Sequence, residues 1–136
     1  MNDALSTLWA PRAHAVLRIM AGLLFLQHGT QKILAFPAAA PMRIEGLLTL
    51  AGWIELVCGA LIAVGALTRP AAFLASGMCA VAYWMAHGTS NFFPILNRGE
   101  LAALYAFVFL YLAVAGAGPW SVDAMLRDRR GVPATA

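Results

Sequence analysis

Charge is scarce in this sequence. Nine Lys or Arg and six Asp or Glu in 136 residues come to 11%, where a soluble domain carries about 25%. Hydrophobic residues make up 62% and the mean hydropathy is +0.77. A chain this short could not hide so much apolar surface in one core, which excludes an ordinary soluble fold. Cysteine is nearly absent. Cys58 and Cys79 form no CxxC or zinc spacing, no c-type haem motif and no iron–sulfur pattern. Both read as small buried hydrophobes that stay reduced. The sequence has no dinucleotide fingerprint, no basic surface patterned for nucleic acid, no internal repeat and no low-complexity segment. No metal and no covalently bound cofactor is expected.

Four apolar stretches take up most of the chain, at residues 13–34, 46–67, 71–87 and 101–117. A spanning helix needs roughly 17–25 residues. The predicted fold is therefore all-α, a polytopic membrane protein built as an antiparallel bundle of four transmembrane helices. A short N-terminal segment (1–12) precedes the membrane domain (13–117), and a tail (118–136) follows it. The first stretch does not read as a cleaved signal peptide, because His28, Gln31 and Lys32 stand where small cleavage-site residues would be. Thr68 is expected to cap the third helix, with Pro70 in its first turn. Such a short link makes the second and third helices a hairpin.

Four crossings put both termini and the second loop on one side. That side holds Arg12, Arg18, Arg69, Arg127, Arg129 and Arg130; the other holds Lys32, Arg43 and Arg98. The bias of six to three places both termini in the cytoplasm of a bacterial inner-membrane protein.

A charge in hydrocarbon is costly, so ionisable residues inside the spans must face protein or water. At about 100° per residue, His14, Arg18, Ala21, Phe25, His28 and Lys32 share one arc of the first helix, opposite Ile19, Leu23, Leu26 and Ile33. Glu55 lies mid-span in the second helix among Gly52, Gly59, Ala63 and Ala66, small residues that let helices pack closely. Ser76, Ala80, Tyr83 and His87 share a stripe on the third helix, and Glu100, Phe107 and Tyr111 one on the fourth. Together these predict a polar funnel open to the outer side with Glu55 at its floor. The candidate site is Glu55, His28 and Lys32 for chemistry, with His87 and Arg18 added for ligand binding. Glu55 is expected to pair with Arg18, His28 or Lys32. Each residue also has a plainer reading. Arg18 could snorkel to the inner interface, Lys32 could anchor a helix end, and the histidines could be hydrogen-bonded interior groups. Glu100 with Asn97 has the spacing of a helix-capping box.

The stretch Leu17-Arg18, Gly22-Leu23-Leu24-Phe25, His28-Gly29 and Gln31-Lys32 resembles the first helix of the DoxX family of small four-helix membrane proteins. Three further motifs fit in order: Glu55 ahead of Gly59 and Gly65-Ala66-Leu67-Thr68-Arg69-Pro70; Phe92-Phe93-Pro94-Ile95-Leu96-Asn97-Arg98-Gly99-Glu100-Leu101; and Gly118-Pro119-Trp120-Ser121-Val122-Asp123. The family often has Gly-Gly where this chain has Arg98-Gly99. The resemblance implies one of several roles. Named members are linked to thiosulfate oxidation with quinone as acceptor, others to redox-stress complexes with a dismutase and a sulfurtransferase. More distant relatives act in membrane-protein assembly.

The reading that follows is a quinone- or sulfur-linked redox subunit rather than a complete enzyme. Its quinone would be held by the funnel residues, and its electrons would come from a soluble redox or sulfurtransferase partner or from a small substrate. The alternative is a non-catalytic scaffold or chaperone for membrane proteins. The lipid bilayer and a second copy of the chain complete the candidate partners. A small-anion transporter would show discontinuous helices or inverted halves, and neither is evident.

Overall fold

Six α-helices and one π turn make up the regular structure of the computed structural model, which describes residues 2–130, with side chains from Ser6 onward. Met1 and residues 131–136, the end of the expected tail, lie outside the described residues. The elements are α1 (Asn2–Leu34), α2 (Leu47–Val64), α3 (Thr68–Tyr83) continued by a π turn (Trp84–Gly88), α4 (Pro94–Asn97), α5 (Glu100–Ala115) and α6 (Val122–Arg129). No strand occurs among the described residues. Only α2 among them is both long and apolar enough, by length and composition, to cross a membrane. α3 and α5 have 16 residues each, and α1 carries Arg12, Arg18 and Lys32 along its length.

Two antiparallel pairs build the bundle: α1 packs on α2, and α3 on α5. Glycines set the first pair. A Cβ on Gly59 would stand 2.7 Å from the Leu26 Cα, and one on Gly29 would strike the Leu56 backbone. On Gly22 it would meet the Ala63 backbone at 2.5 Å. Helices come this close only where one side has no side chain. This corrects one expectation. Leu26 and Ile33, assigned to the face of α1 opposite its polar arc, lie against Gly59 and Gly52 of α2. The arc of Arg18, Ala21 and Phe25 is buried, and Leu23 is exposed.

An aromatic seam joins the pairs. Phe25 of α1 meets Phe109 edge-on at 4.7 Å and Tyr105 at 5.6 Å, and Tyr105 stacks on Phe109. The buried stripe of α5 is thus Tyr105, Phe109 and Leu112. The stripe expected from Glu100, Phe107 and Tyr111 faces out, with Phe107 72% exposed. α5 is apolar almost all round, so its hydrophobic pattern holds no contrast from which to choose a face.

The link between α2 and α3 is a three-residue turn. α2 ends in a Schellman motif: Gly65 adopts φ 70°, its N–H bonds the Ile62 carbonyl, and Ala66 N–H bonds Leu61. Pro70 lies in the first turn of α3. Thr68 does not cap that helix. Its first turn is capped by the Asp123 carboxylate, which accepts from Leu67 N–H and Thr68 N–H at 2.9 Å each. Nor is Asn97 the cap of α5. Gly99 holds that position, and Asn97 Oδ1 accepts the Gly99 N–H at 2.7 Å.

Candidate functional site

Polar side chains are buried at two levels of the bundle, and they do different things. At the end where α2 and α5 finish, Arg18 is 0% exposed. Its guanidinium donates to the Ile62, Ala63 and Trp120 carbonyls at 2.9, 2.8 and 2.8 Å. The last carbonyls of a helix have no partner within it and carry the negative end of its dipole, so a cation there is well placed. Two further side chains repeat the device on α5. Arg69 donates to the Val114 carbonyl at 2.7 Å, and His14 Nε2 lies 3.0 Å from the Gly116 carbonyl with Nδ1 3.0 Å from the Tyr111 hydroxyl. Asp123 N–H also bonds the Gly65 carbonyl. Residues 118–123 are thereby laced to residues 65–68 and to α1.

Toward the other end, Lys32 Nζ meets Glu55 Oε1 at 2.6 Å, with side-chain exposures of 20% and 8%. Of the three partners open to Glu55 from the sequence, the geometry selects Lys32. The second carboxylate oxygen, Oε2, is buried with no hydrogen-bond partner. His28 stands one turn before Lys32 on α1, its ring edge-on to Tyr105 at 6.2 Å. Cys79 and Tyr105 lie within electrostatic reach of Glu55. Their closeness to Glu55 was not foreseen, because the sequence pattern of each span says nothing about neighbours on other helices. Both cysteines are free and buried in the core.

The other two candidates are elsewhere. Arg18 does not pair with Glu55; its two terminal guanidinium nitrogens donate to backbone carbonyls at the opposite end, and its buried Nε has no hydrogen-bond partner. His87 is in the π turn, with Nδ1 2.9 Å from the Asn97 carbonyl. Asn97 also donates to the Tyr83 hydroxyl and the Asn91 carbonyl, so His87 belongs to a loop-organising network. No group of residues suited to a metal ion occurs among the described residues. Glu55 lines none of three cavities between the helices. One of about 480 Å³ is an apolar groove between α3 and α5, and one of about 380 Å³ lies between α2 and α3. The third, about 340 Å³, is at the Arg69 end.

An unpaired acceptor beside an ion pair can do two things. It can carry a proton, or it can accept a hydrogen bond from a bound molecule. A buried pair with one oxygen unsatisfied is poor material for stability alone.

These features define a class: a small all-helical bundle with an apolar exterior, glycine-set helix contacts and ionic groups buried at two levels. Comparison with known proteins places it more closely. The DoxX family model matches residues 13–88, and the chain belongs to the DoxX family. An uncharacterized protein of Haemophilus influenzae is 42% identical over 122 residues, covering 85% of this chain and 91% of the relative. An uncharacterized membrane protein of Mycobacterium tuberculosis is 30% identical over 139 residues, covering 88% and 84%. No solved structure matches the chain.

Proposed function

We propose that the chain is a multi-pass inner-membrane protein that serves a quinone- or sulfur-linked redox system through the Lys32–Glu55 centre. Family membership and the apolar exterior support the membrane setting. α1 from about residue 13, α2, α3 with its π turn, and α5 are the four crossings. The six-to-three arginine and lysine bias favours cytoplasmic termini. Reporter fusions at the C-terminus and in the loop after Gly88 test this. The C-terminal fusion will report a cytoplasmic location and the loop fusion a periplasmic one. A periplasmic C-terminus would end the topological reading.

The single observation that carries the redox reading is the free Glu55 Oε2 in a buried ion pair. A hydroxyl donor fits that orphan acceptor. Lys32 and, when its ring N–H faces the site, His28 can donate to a carbonyl; these are the complementary needs of the oxidised and reduced forms of a quinone headgroup. A bound quinone would supply two-electron acceptor chemistry. Glu55 and Lys32 would hold and pass the two protons that accompany the two electrons. Those electrons would arrive from a soluble partner or a small substrate, since the sequence carries no redox-cofactor motif. Access runs past Lys32, the more exposed member of the pair.

Glu55→Gln and His28→Ala are expected to give folded protein, because neither residue takes part in the helix-end network. Both variants should lose quinone that co-purifies with the wild-type chain. Quinone content by mass spectrometry, set beside a thermal melt, reads this out. Unchanged quinone in both well-folded variants would remove the site and leave the scaffold role in front.

A further inference from the structure

The cavity at the Arg69 end is unlike the other two. It is about 340 Å³ and is lined by Leu67, Thr68, Arg69, Gly116, Asp123 and Arg127, so it lies between the start of α3, the end of α5 and α6. Two of its lining residues carry buried polar atoms with no hydrogen-bond partner, Arg127 Nε and Thr68 Oγ1. Asp123 is the cavity's acid, and both of its oxygens are already occupied by the N–H groups of Leu67 and Thr68. With Asp123 capping α3 and one Arg69 nitrogen bonded to Val114, what remains is a concave surface with the Arg127 guanidinium, the rest of the Arg69 guanidinium, and the unpartnered Arg127 Nε and Thr68 hydroxyl. Such a surface suits an anion with several oxygens, above all a phosphate.

The rim says what carries the phosphate. On α6, Val122, Met125 and Leu126 fall at i, i+3 and i+4 and are all exposed, Met125 at 59%. Asp123 and Arg127 make the opposite stripe, toward the cavity. Ser121 fixes the start of this helix, accepting from Ala124 N–H at 3.1 Å and donating to the Gly118 carbonyl at 2.7 Å. Leu67 on the cavity wall and Trp120 beside it are 64% and 60% exposed. Arg127 is the basic residue of α6 on the cavity side, and Arg129 closes the far end of the exposed Val122–Met125–Leu126 stripe. A short helix with an exposed apolar stripe and flanking arginines is suited to the plane of a lipid–water interface. A free phosphate has no use for that apolar rim; a phospholipid does.

We propose that α6 is an interfacial helix and that the cavity beneath it binds the phosphate of an acidic phospholipid, with Arg127 and Arg69 as its ligands. This rests on the membrane setting argued above and is independent of the Lys32–Glu55 chemistry.

The test uses the full chain, purified in detergent and followed by native mass spectrometry with added phosphatidylglycerol, phosphatidylcholine or inorganic phosphate. The wild-type chain will retain phosphatidylglycerol in preference to phosphatidylcholine. Arg127→Gln will weaken that retention about tenfold without lowering the melting temperature, since its Nε makes no bond in the fold. Arg129→Gln, on the same helix but outside the cavity lining, will retain it. Met125→Ser, which removes apolar rim without touching the guanidinium groups, will also weaken retention while leaving the fold intact. Equal retention of the two lipids, or an Arg127→Gln chain indistinguishable from wild type, overturns the proposal. Inorganic phosphate binding as well as phosphatidylglycerol overturns the lipid assignment. A chain that washes out of membranes in alkaline carbonate would defeat the membrane setting itself; an integral chain without lipid preference defeats only this inference.

Discussion

Arg18→Met will give a protein that does not hold its native fold at physiological temperature. Methionine matches the length of the buried stem but supplies no donor. The carbonyls of Ala63 and Trp120 lose their guanidinium partners, and that of Ile62 keeps only its bond from Gly65. Each buried acceptor left unpaired costs about 1–3 kcal/mol. Removing the charge also removes the penalty for burying it, which offsets part of this. The net loss is on the order of 3–5 kcal/mol, a large share of the 5–15 kcal/mol that holds a small protein together. Arg18→Lys should recover only a fraction, because one ammonium cannot serve carbonyls on both α2 and the 118–120 segment as a planar fork does. Thermal unfolding in detergent and protease cleavage after residue 116 measure the two parts. A melting temperature within a few degrees of wild type for Arg18→Met would show that Arg18 only fills space.

Gly29→Val will separate α1 from α2. A Cβ at Gly29 already strikes the Leu56 backbone and stands 2.8 Å from the Glu55 carbonyl carbon. Backbone cannot rotate aside as a side chain can, so α2 itself must move. Overpacking of this kind costs roughly 1–3 kcal/mol and more where the obstacle is rigid. The displaced segment carries Glu55, so the 2.6 Å contact with Lys32 is lost together with stability. Gly77 supplies the control. A Cβ there meets nothing within 4 Å, and Gly77→Ala in the middle of α3 should be neutral or stabilise by about 0.5–1 kcal/mol. Melting temperatures for the two variants, with quinone content for the first, are the measurements. Equal stability of Gly29→Val and wild type would refute the close approach of the two helices.

The sequence made some of this legible and hid the rest for identifiable reasons. The helical class followed from runs of apolar residues, and the inward arc of α1 followed from the rarity of charge: a few polar side chains on an apolar helix mark a face sharply. Glu55 was singled out by its mid-span position, and its partner was among three named. The role of Arg18 was not legible, because its acceptors are backbone carbonyls, which every residue possesses and no side-chain pattern reveals. The place of Leu26 against α2 was hidden because it depends on a glycine in another helix. Tyr105 was missed because α5 is apolar almost all round and gives no angular signal, and Cys79 because a cysteine in an apolar span reads as a small hydrophobe. Asp123 stood in a recognised motif, but its task of capping α3, more than fifty residues earlier, depends on the tail folding back.

That tail gives the bundle an uneven stiffness. At one end Arg18, Arg69, His14 and Asp123 tie α1, α2, α3, α5 and the tail to one another. At the other, the loop network of His87, Asn97 and Tyr83 fastens α3 to α4 but does not reach α1 or α2. The molecule is built like a pair of tongs, riveted at the arginine end, with α1–α2 as one arm and α3–α5 as the other. Lys32, Glu55 and His28 sit on the first arm, Cys79 and Tyr105 on the second. The tips of the tongs are held by the rings of Tyr105, Phe25 and His28, so the arms cannot part without breaking that aromatic grip next to the Lys32–Glu55 pair.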